Sequence, residues 1–337
     1  MNDNCHIEGI DYRAWITLNH ENELRKAVSR EIIDWNSDIE IVKFRTSGST
    51  GKPKLILIQK NYIRHSVEVT GELFKLKKGD RSLLCLPVGF VGGRMMLYRS
   101  LVLGLNLKIS NPQVTDILKQ EGQFKFCAMT PLQVSKIAEK EPSFFNKIET
   151  LIIGGGRIDN VLESKLLHLK TKCYATFGMT ETISHIALRK LNHGFEKTFM
   201  ALPGVFFKVN SNDQLIINAP QWGVNNLTTN DVVTLVSDTE FIWKGRIDNV
   251  INSGGYKLFP EKIESELVSR ISENFFIDKL PDSVLGSKVV LFVEGDEREI
   301  NLDSLQKLEK PKEIFFIPKF KYTNSGKIDR IGTVNLL

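Results

Sequence analysis

Cysteine is scarce and badly spaced for chemistry. The four present, Cys5, Cys85, Cys127 and Cys173, lie far apart and form no C-x-x-C pair, which argues against a zinc site. Two sit in apolar, strand-like runs, SLLCLP and FKFCAM, where a reduced thiol serves as a small buried hydrophobe. No run approaches the ~18 apolar residues of a membrane span, and the polar N-terminus has no signal core. A cytoplasmic location is the expectation. A basic stripe interleaved with aromatics is also missing, so nucleic acid is not an expected partner. The formal charge is only +5, from 45 basic and 40 acidic residues spread along the chain. That balance suits small anionic ligands. No repeat or low-complexity segment is visible.

What is there points to a folded enzyme-sized chain. Its 337 residues are 42% apolar and 25% charged, ordinary for a globular protein and enough for two or more cores. From 39 to 186 short apolar runs alternate with amphipathic stretches. Strands are expected at 39–44, 55–58, 82–86, 124–129, 150–153 and 173–177. Helices are expected at 61–74, with Asn61 as cap, and at 131–138, with Thr130 as cap and Pro131 in the first turn. Strand–helix alternation predicts parallel sheet packed against helices. Over 204–244 the texture becomes GVFFKV, QLIINA, DVVTLV and EFIWKG, separated by Ser/Asn/Asp turns, which predicts antiparallel hairpins. After Gly245 come a Ser-Gly-Gly turn, a helix opened by Pro260 and further strands. The fold class is therefore α/β: a large domain over 1–247 with a small antiparallel β part, and a small α+β domain over 248–337.

Five stretches carry candidate chemistry. Thr46-Ser47-Gly48-Ser49-Thr50-Gly51-Lys52-Pro53-Lys54 joins two β-type runs. Its small residues let backbone N–H groups approach phosphate, and Lys52 and Lys54 can neutralise it. It is not a Walker loop, because Pro53 follows Lys52 where Ser or Thr is required. Alone, it reads equally well as a soluble hairpin loop. Gly154-Gly155-Gly156 follows the strand TLII, where a flat ligand can lie against the backbone. In Phe177-Gly178-Met179-Thr180-Glu181, an aromatic, a hydroxyl and a carboxylate could stack a base, bind phosphate and hold Mg²⁺. Asp231, Arg246 and Asp248 flank the last hairpin, ahead of Gly254-Gly255-Tyr256-Lys257; a carboxylate can accept both ribose hydroxyls. Ser325-Gly326-Lys327-Ile328-Asp329-Arg330 lies near the C-terminus.

In this order the stretches resemble the adenylate-forming superfamily of acyl-CoA ligases, luciferases and adenylation domains. The resemblance covers 46–330. It implies that Thr46, Ser47, Gly48, Ser49, Thr50, Gly51, Lys52 and Lys54 embrace the β- and γ-phosphates of ATP. Gly154, Gly155, Gly156 and Phe177, with Gly178 beside it, would hold adenine. Thr180 would meet the α-phosphate and Glu181 the Mg²⁺; Asp231 and Arg246 would hold ribose. Asp248 would be a hinge, Lys327 the catalytic lysine, and Gly255 and Lys257 part of the face used in a second, thioester-forming step with coenzyme A. The small domain would be a lid.

The chain departs from that pattern in four places. Family members usually carry a longer portion before the phosphate loop, so part of the large domain is expected to be absent. Phe177 replaces the commoner tyrosine, and Asn230 stands where glycine is usual. The stretch Leu86-Pro87-Val88-Gly89-Phe90 lacks a histidine often found after the proline. Its compactness and PVGFVGGRMMLYRSLVLG resemble the 2-succinylbenzoate–CoA ligases of menaquinone biosynthesis. The resemblance gives Arg99 the substrate's second carboxylate, with Arg94 as the reserve. Five residues apart on a helix, the two point about 140° from each other. The alternatives are a CoA ligase for another aryl or short acyl acid, or a degenerate ATP-binding protein without turnover.

Overall fold

The computed structural model describes residues 5–45, 54–322 and 328–337. Its backbone is a 13-stranded sheet whose centre is parallel. Asn106–Ile109, Arg81–Leu84, Phe124–Met129, Ile148–Ile153 and Lys172–Gly178 lie side by side in that order. Their apolar residues point to both faces because both faces are covered. Phe126, Ala128 and Ile152 pack into one core, while Cys127, Met129, Leu151 and Ile153 pack into another. Cys85 and Cys127, expected to be buried and reduced, are buried free thiols, and so are Cys5 and Cys173.

The helices form where the local signals said they would, with one exception. Thr130 and Gln133 make a reciprocal capping box ahead of Pro131–Lys140, which satisfies two orphan N–H groups. Asn22 caps α1 (Glu23–Asn36) through the N–H groups of Leu24 and Arg25. Asn61 does not cap α2 (Lys60–Leu73): the helix opens one residue earlier, and Gln59 at its boundary makes no side-chain cap bond. Lys60 fixes that start instead, its N–H donating to Glu40 O at 2.8 Å and its Nζ to Ser37 O at 2.6 Å. The helix α3 (Val91–Leu103) ends on Gly104 in the left-handed region. Gly93 inside it is required by space, since a Cβ there would sit 2.3 Å from Pro87 O.

Beyond Gly178 the sheet turns antiparallel. His185–Lys190, Phe199–Ala201, Glu240–Arg246, Val224–Ser237, Gln214–Ala219 and Phe206–Val209 continue it to one edge. The expected hairpins are there, but they extend the same sheet rather than forming a separate one. The first two expected strands differ more. β1 (Ile41–Arg45) and β2 (Leu55–Gln59) pair only with each other, antiparallel, and take no place in the parallel sheet. Residues 251–334 have their own cores, built on the sheet Phe275–Asp282, Gly286–Glu294 and Glu313–Ile317 with the helix Pro260–Leu267. Among the described residues, no helix is long and apolar enough to cross a membrane.

Candidate active site

The carboxyl ends of the central strands gather the candidate residues. Gly154 leaves its strand with its N–H on Met129 O, 3.1 Å away, and Gly155 follows at φ +79°. A Cβ on Gly154 would lie 2.2 Å from Thr176 Oγ1, so the backbone approach here needs glycine. On the neighbouring strand, Phe177 is half-buried, its ring 5.0 Å from Phe241 and 5.9 Å from Phe199. Gly178 is required as well, because a Cβ would strike Ser184 O at 2.0 Å. The turn that follows is stitched by Thr182, whose Oγ1 accepts from Met179 N–H at 2.9 Å and donates to Ser184 O at 2.8 Å. Ile183 sits at φ +68°, a conformation that costs about a kcal/mol or more for a β-branched residue. The turn holds Thr180 half-buried and Glu181 exposed, both side chains without a hydrogen-bond partner among the described residues.

Glu181 faces a cavity of about 440 Å³, whose other walls are Lys54, the strand β2, Tyr62, Trp222 and Gly223. Its size is that of a small-ligand site. Among the described residues, no group of three or more acidic, histidine or cysteine side chains could cage a metal. One carboxylate at the rim suits Mg²⁺, which keeps its waters and rides on phosphate oxygens. The residues present therefore fit a magnesium–nucleotide. Thr46, Ser47, Gly48, Ser49, Thr50, Gly51 and Lys52 lie outside the described residues, as does Lys327.

The ribose candidates sit on adjacent strands. Asp231 pairs in register with Arg246 and is 7% exposed. Trp243 Nε1 donates to its carboxylate at 2.9 Å. Burial pushes this carboxyl's pKa up, and the Trp243 and Arg246 interactions oppose that. Asp248, in the turn Ile247–Asn249, accepts from Asn230 Nδ2 at 2.9 Å and from Arg246 at 2.9 Å. Asn230, one of the departures noted above, is thus the residue that holds Asp248. Gly254 and Gly255, both at positive φ, form the exposed turn between Ile251–Ser253 and Tyr256–Leu258, with Lys257 exposed beside it.

The two arginines of α3 have opposite surroundings. Arg94 is spent on protein groups: its guanidinium lies 2.9 Å from the Glu31 carboxylate, donates to Lys43 O at 2.6 Å and covers the Phe44 ring. Most helix arginines face solvent, but Arg99 is 1% exposed. Its contacts are all uncharged: Ser184 Oγ at 3.2 Å, His185 Nδ1 at 3.5 Å, Met96 Sδ at 3.9 Å and the Phe126 ring. It has no carboxylate partner among the described residues, and its Nε–H, like that of Arg94, is without a partner. Burial lowers its pKa to about 9, so it stays charged at neutral pH. His185 is held neutral, first by burial and then by Arg99; its Nε2 is also unpartnered.

Ser184, His185, Trp243 and Glu31 were not singled out in the sequence. Ser184 and His185 come three and four residues after Glu181, which was the only signal for them. Nothing local marks Trp243 or Glu31, since each acts on a residue brought close by folding.

Residues 19–212 match the family model described as AMP-binding enzyme. Among curated proteins, the chain is 26% identical to the 2-succinylbenzoate–CoA ligase of Lactococcus lactis, over 86% of this chain and 69% of that protein. It is 24% identical to the protein of that name from Escherichia coli, over 85% and 66%. Among solved structures, an acyl-CoA synthetase (AMP-forming)/AMP-acid ligase II-like protein from Dyadobacter fermentans is 30% identical with TM-score 0.64, and 95% of this chain covers 96% of that one. O-succinylbenzoate coenzyme A synthetase from Bacillus subtilis, solved with ATP and magnesium, shares the fold at TM-score 0.73 and 19% identity, over 87% of this chain and 69% of that one.

Proposed function

The chain belongs to the AMP-binding enzyme family, and from that premise we propose that it is an acid–CoA ligase whose acid is 2-succinylbenzoate. One observation carries the choice of acid: Arg99 is buried beside the 179–185 turn without a counter-ion. A guanidinium removed from water needs a charge partner. A substrate with two carboxylates supplies one and leaves the other to react. Arg94, already neutralised by Glu31, is a poor reader of a second carboxylate. The names of the curated relatives support the same acid.

The chemistry follows from the weakness of a carboxylate as an electrophile. Its oxygen attacks the α-phosphorus of ATP; an acyl-adenylate forms and pyrophosphate leaves. The thiolate of coenzyme A then attacks the acyl carbon and expels AMP. Magnesium, when bound, would neutralise phosphate charge during the first step. In this reading Thr46–Lys54 cradle the phosphates, and Gly154, Gly155, Gly156 and Phe177 hold adenine. Glu181, on the cavity wall, serves the metal, and Thr180 beside it the α-phosphate. Asp231 and Arg246 take the ribose. Lys327 stabilises charge on the transferring phosphoryl group. Asp248 is the hinge between a large domain over 1–247 and a lid over 248–337, and Gly255 and Lys257 serve the second step. The separate cores after Ile251 support that division.

ATP–pyrophosphate exchange with a panel of mono- and dicarboxylic acids tests the reading. Exchange is expected with 2-succinylbenzoate and is expected to vanish in Lys327→Ala, which should still make thioester from supplied acyl-adenylate. Exchange with only a monoacid would replace the substrate, and no exchange with any acid would leave a nucleotide-binding protein without turnover.

A further inference from the structure

The strand β2 forms one wall of the cavity, yet no strand of the large sheet pairs with its hairpin. A two-stranded hairpin has little stability of its own, so side chains must set its position. Its inner face offers Phe44 and Ile58, both buried. Apolar contact alone fixes distance but not register along the strand.

The polar tie comes from α3. One arm of Arg94 donates to Lys43 O at 2.6 Å, while the guanidinium lies over the Phe44 ring with its centre 4.8 Å away. The other arm meets Glu31 of α1 at 2.9 Å. Tyr98, one helical turn after Arg94, donates its hydroxyl to the second oxygen of the same carboxylate. Glu31 is 8% exposed, so a single buried carboxylate locks α1, α3 and the hairpin together. Lys43 is the register partner of Leu57, and Leu57 lines the cavity along with Lys54. The path from Arg94 to the cavity wall is therefore one hydrogen bond and one strand pairing.

We propose that Arg94 is a positioning residue for the nucleotide: acting through Lys43, it sets where β2 and Lys54 stand against Glu181. This rests on the reading of that cavity as the phosphate end of the ATP site. Arginine suits the task because its planar fork serves two acceptors at once, which an ammonium on a flexible stem does less well.

The test compares Arg94→Lys and Glu31→Gln with the wild type. Arg94→Lys keeps a cation near Glu31 but gives up the fixed fork to Lys43. It should melt within a few degrees of the wild type, raise KM for ATP by about five- to tenfold and leave KM for the acid within about twofold. Amide exchange over 41–45 and 55–59 should accelerate in both variants while the central strands keep their protection. An unchanged KM for ATP, or a rise confined to the acid's KM, overturns the proposal; the latter would make Arg94 a substrate reader. Loss of kcat in proportion to loss of folded protein, with both KM values unmoved, also overturns it in favour of a purely structural role. Binding of ATP to the wild type, measured by titration calorimetry, separates this from failure of the underlying reading: if the wild type binds no ATP, that reading falls first.

Discussion

One helix carries a half-buried arginine and a fully buried one, and the regions at its two faces treat them differently. On the side of the hairpin, Arg94 meets a carboxylate, a carbonyl and an aromatic ring. On the side of the 179–185 turn, Arg99 meets a hydroxyl, a neutral imidazole, a thioether and another ring. The first region is closed: its charge is balanced inside the protein, and breaking it leaves Glu31 stranded. The second is open in the electrostatic sense, since its charge is balanced by nothing the described protein supplies. A balanced cation serves the fold, whereas an unbalanced buried one costs stability and is the kind of group found at functional sites.

The same substitution at both positions should break the symmetry most clearly. Arg94→Met leaves the Glu31 carboxylate buried with the Tyr98 hydroxyl but no cation beside it, and should destabilise the protein by about 3–5 kcal/mol, read by urea denaturation. Next in size, Arg99→Ala should raise KM for the diacid about ten- to a hundredfold, the equivalent of ~1.5–3 kcal/mol for a lost charge-assisted hydrogen bond. KM for ATP should stay within about twofold, and the preference for diacids over monoacids should disappear. Unchanged acid kinetics would remove Arg99 from the pocket.

Stability should move the other way at the second position. Arg99→Met removes an uncompensated buried charge at similar volume, so it should stabilise the free protein by about 1–3 kcal/mol while binding of the diacid is lost. A destabilised Arg99→Met would mean that its contacts with Ser184 and His185 outweigh its desolvation.

The smallest effect is one of pH. His185 is held well below its ordinary pKa by burial and by Arg99. The unfolded chain therefore binds a proton near pH 6.5 that the folded protein refuses, and stability is lost as pH falls below that value. The loss should be about 1 kcal/mol between pH 6.5 and 5.5. It shows as a difference between wild type and His185→Asn, because the carboxyls of Glu31, Asp231 and Glu264, raised mainly by burial, respond with the opposite sign. Parallel pH profiles for the two proteins would mean that His185 takes up its proton in the folded state.

Some of this was legible locally. Runs such as FKFCAM and TLII had to be strands covered on both faces, because their apolar residues show no alternation. Thr130 and Pro131 had to open a helix, because capping is settled within four residues. Glycines at Gly154 and Gly178 were readable as close approaches, though what they approach, Thr176 and Ser184 O, was not. The order of the motifs pointed to the chemistry, since each motif is a short stretch whose meaning is local.

What escaped the sequence depends on partners distant along the chain. Nothing near Lys60 announced that it, and not Asn61, would fix the start of its helix, because its acceptors belong to the segment before the hairpin. The hairpin's separation from the sheet was hidden, since a strand's own residues do not say which strand pairs with it. The sequence by itself determined most of the elements and, through the order of its short motifs, the resemblance that names the family and the two candidate arginines, because periodicity and motifs are local. Only the tertiary structure decided that Arg94 would be neutralised and Arg99 left bare, because a buried charge takes its meaning from groups 63 and 85 residues away, at Glu31 and Ser184.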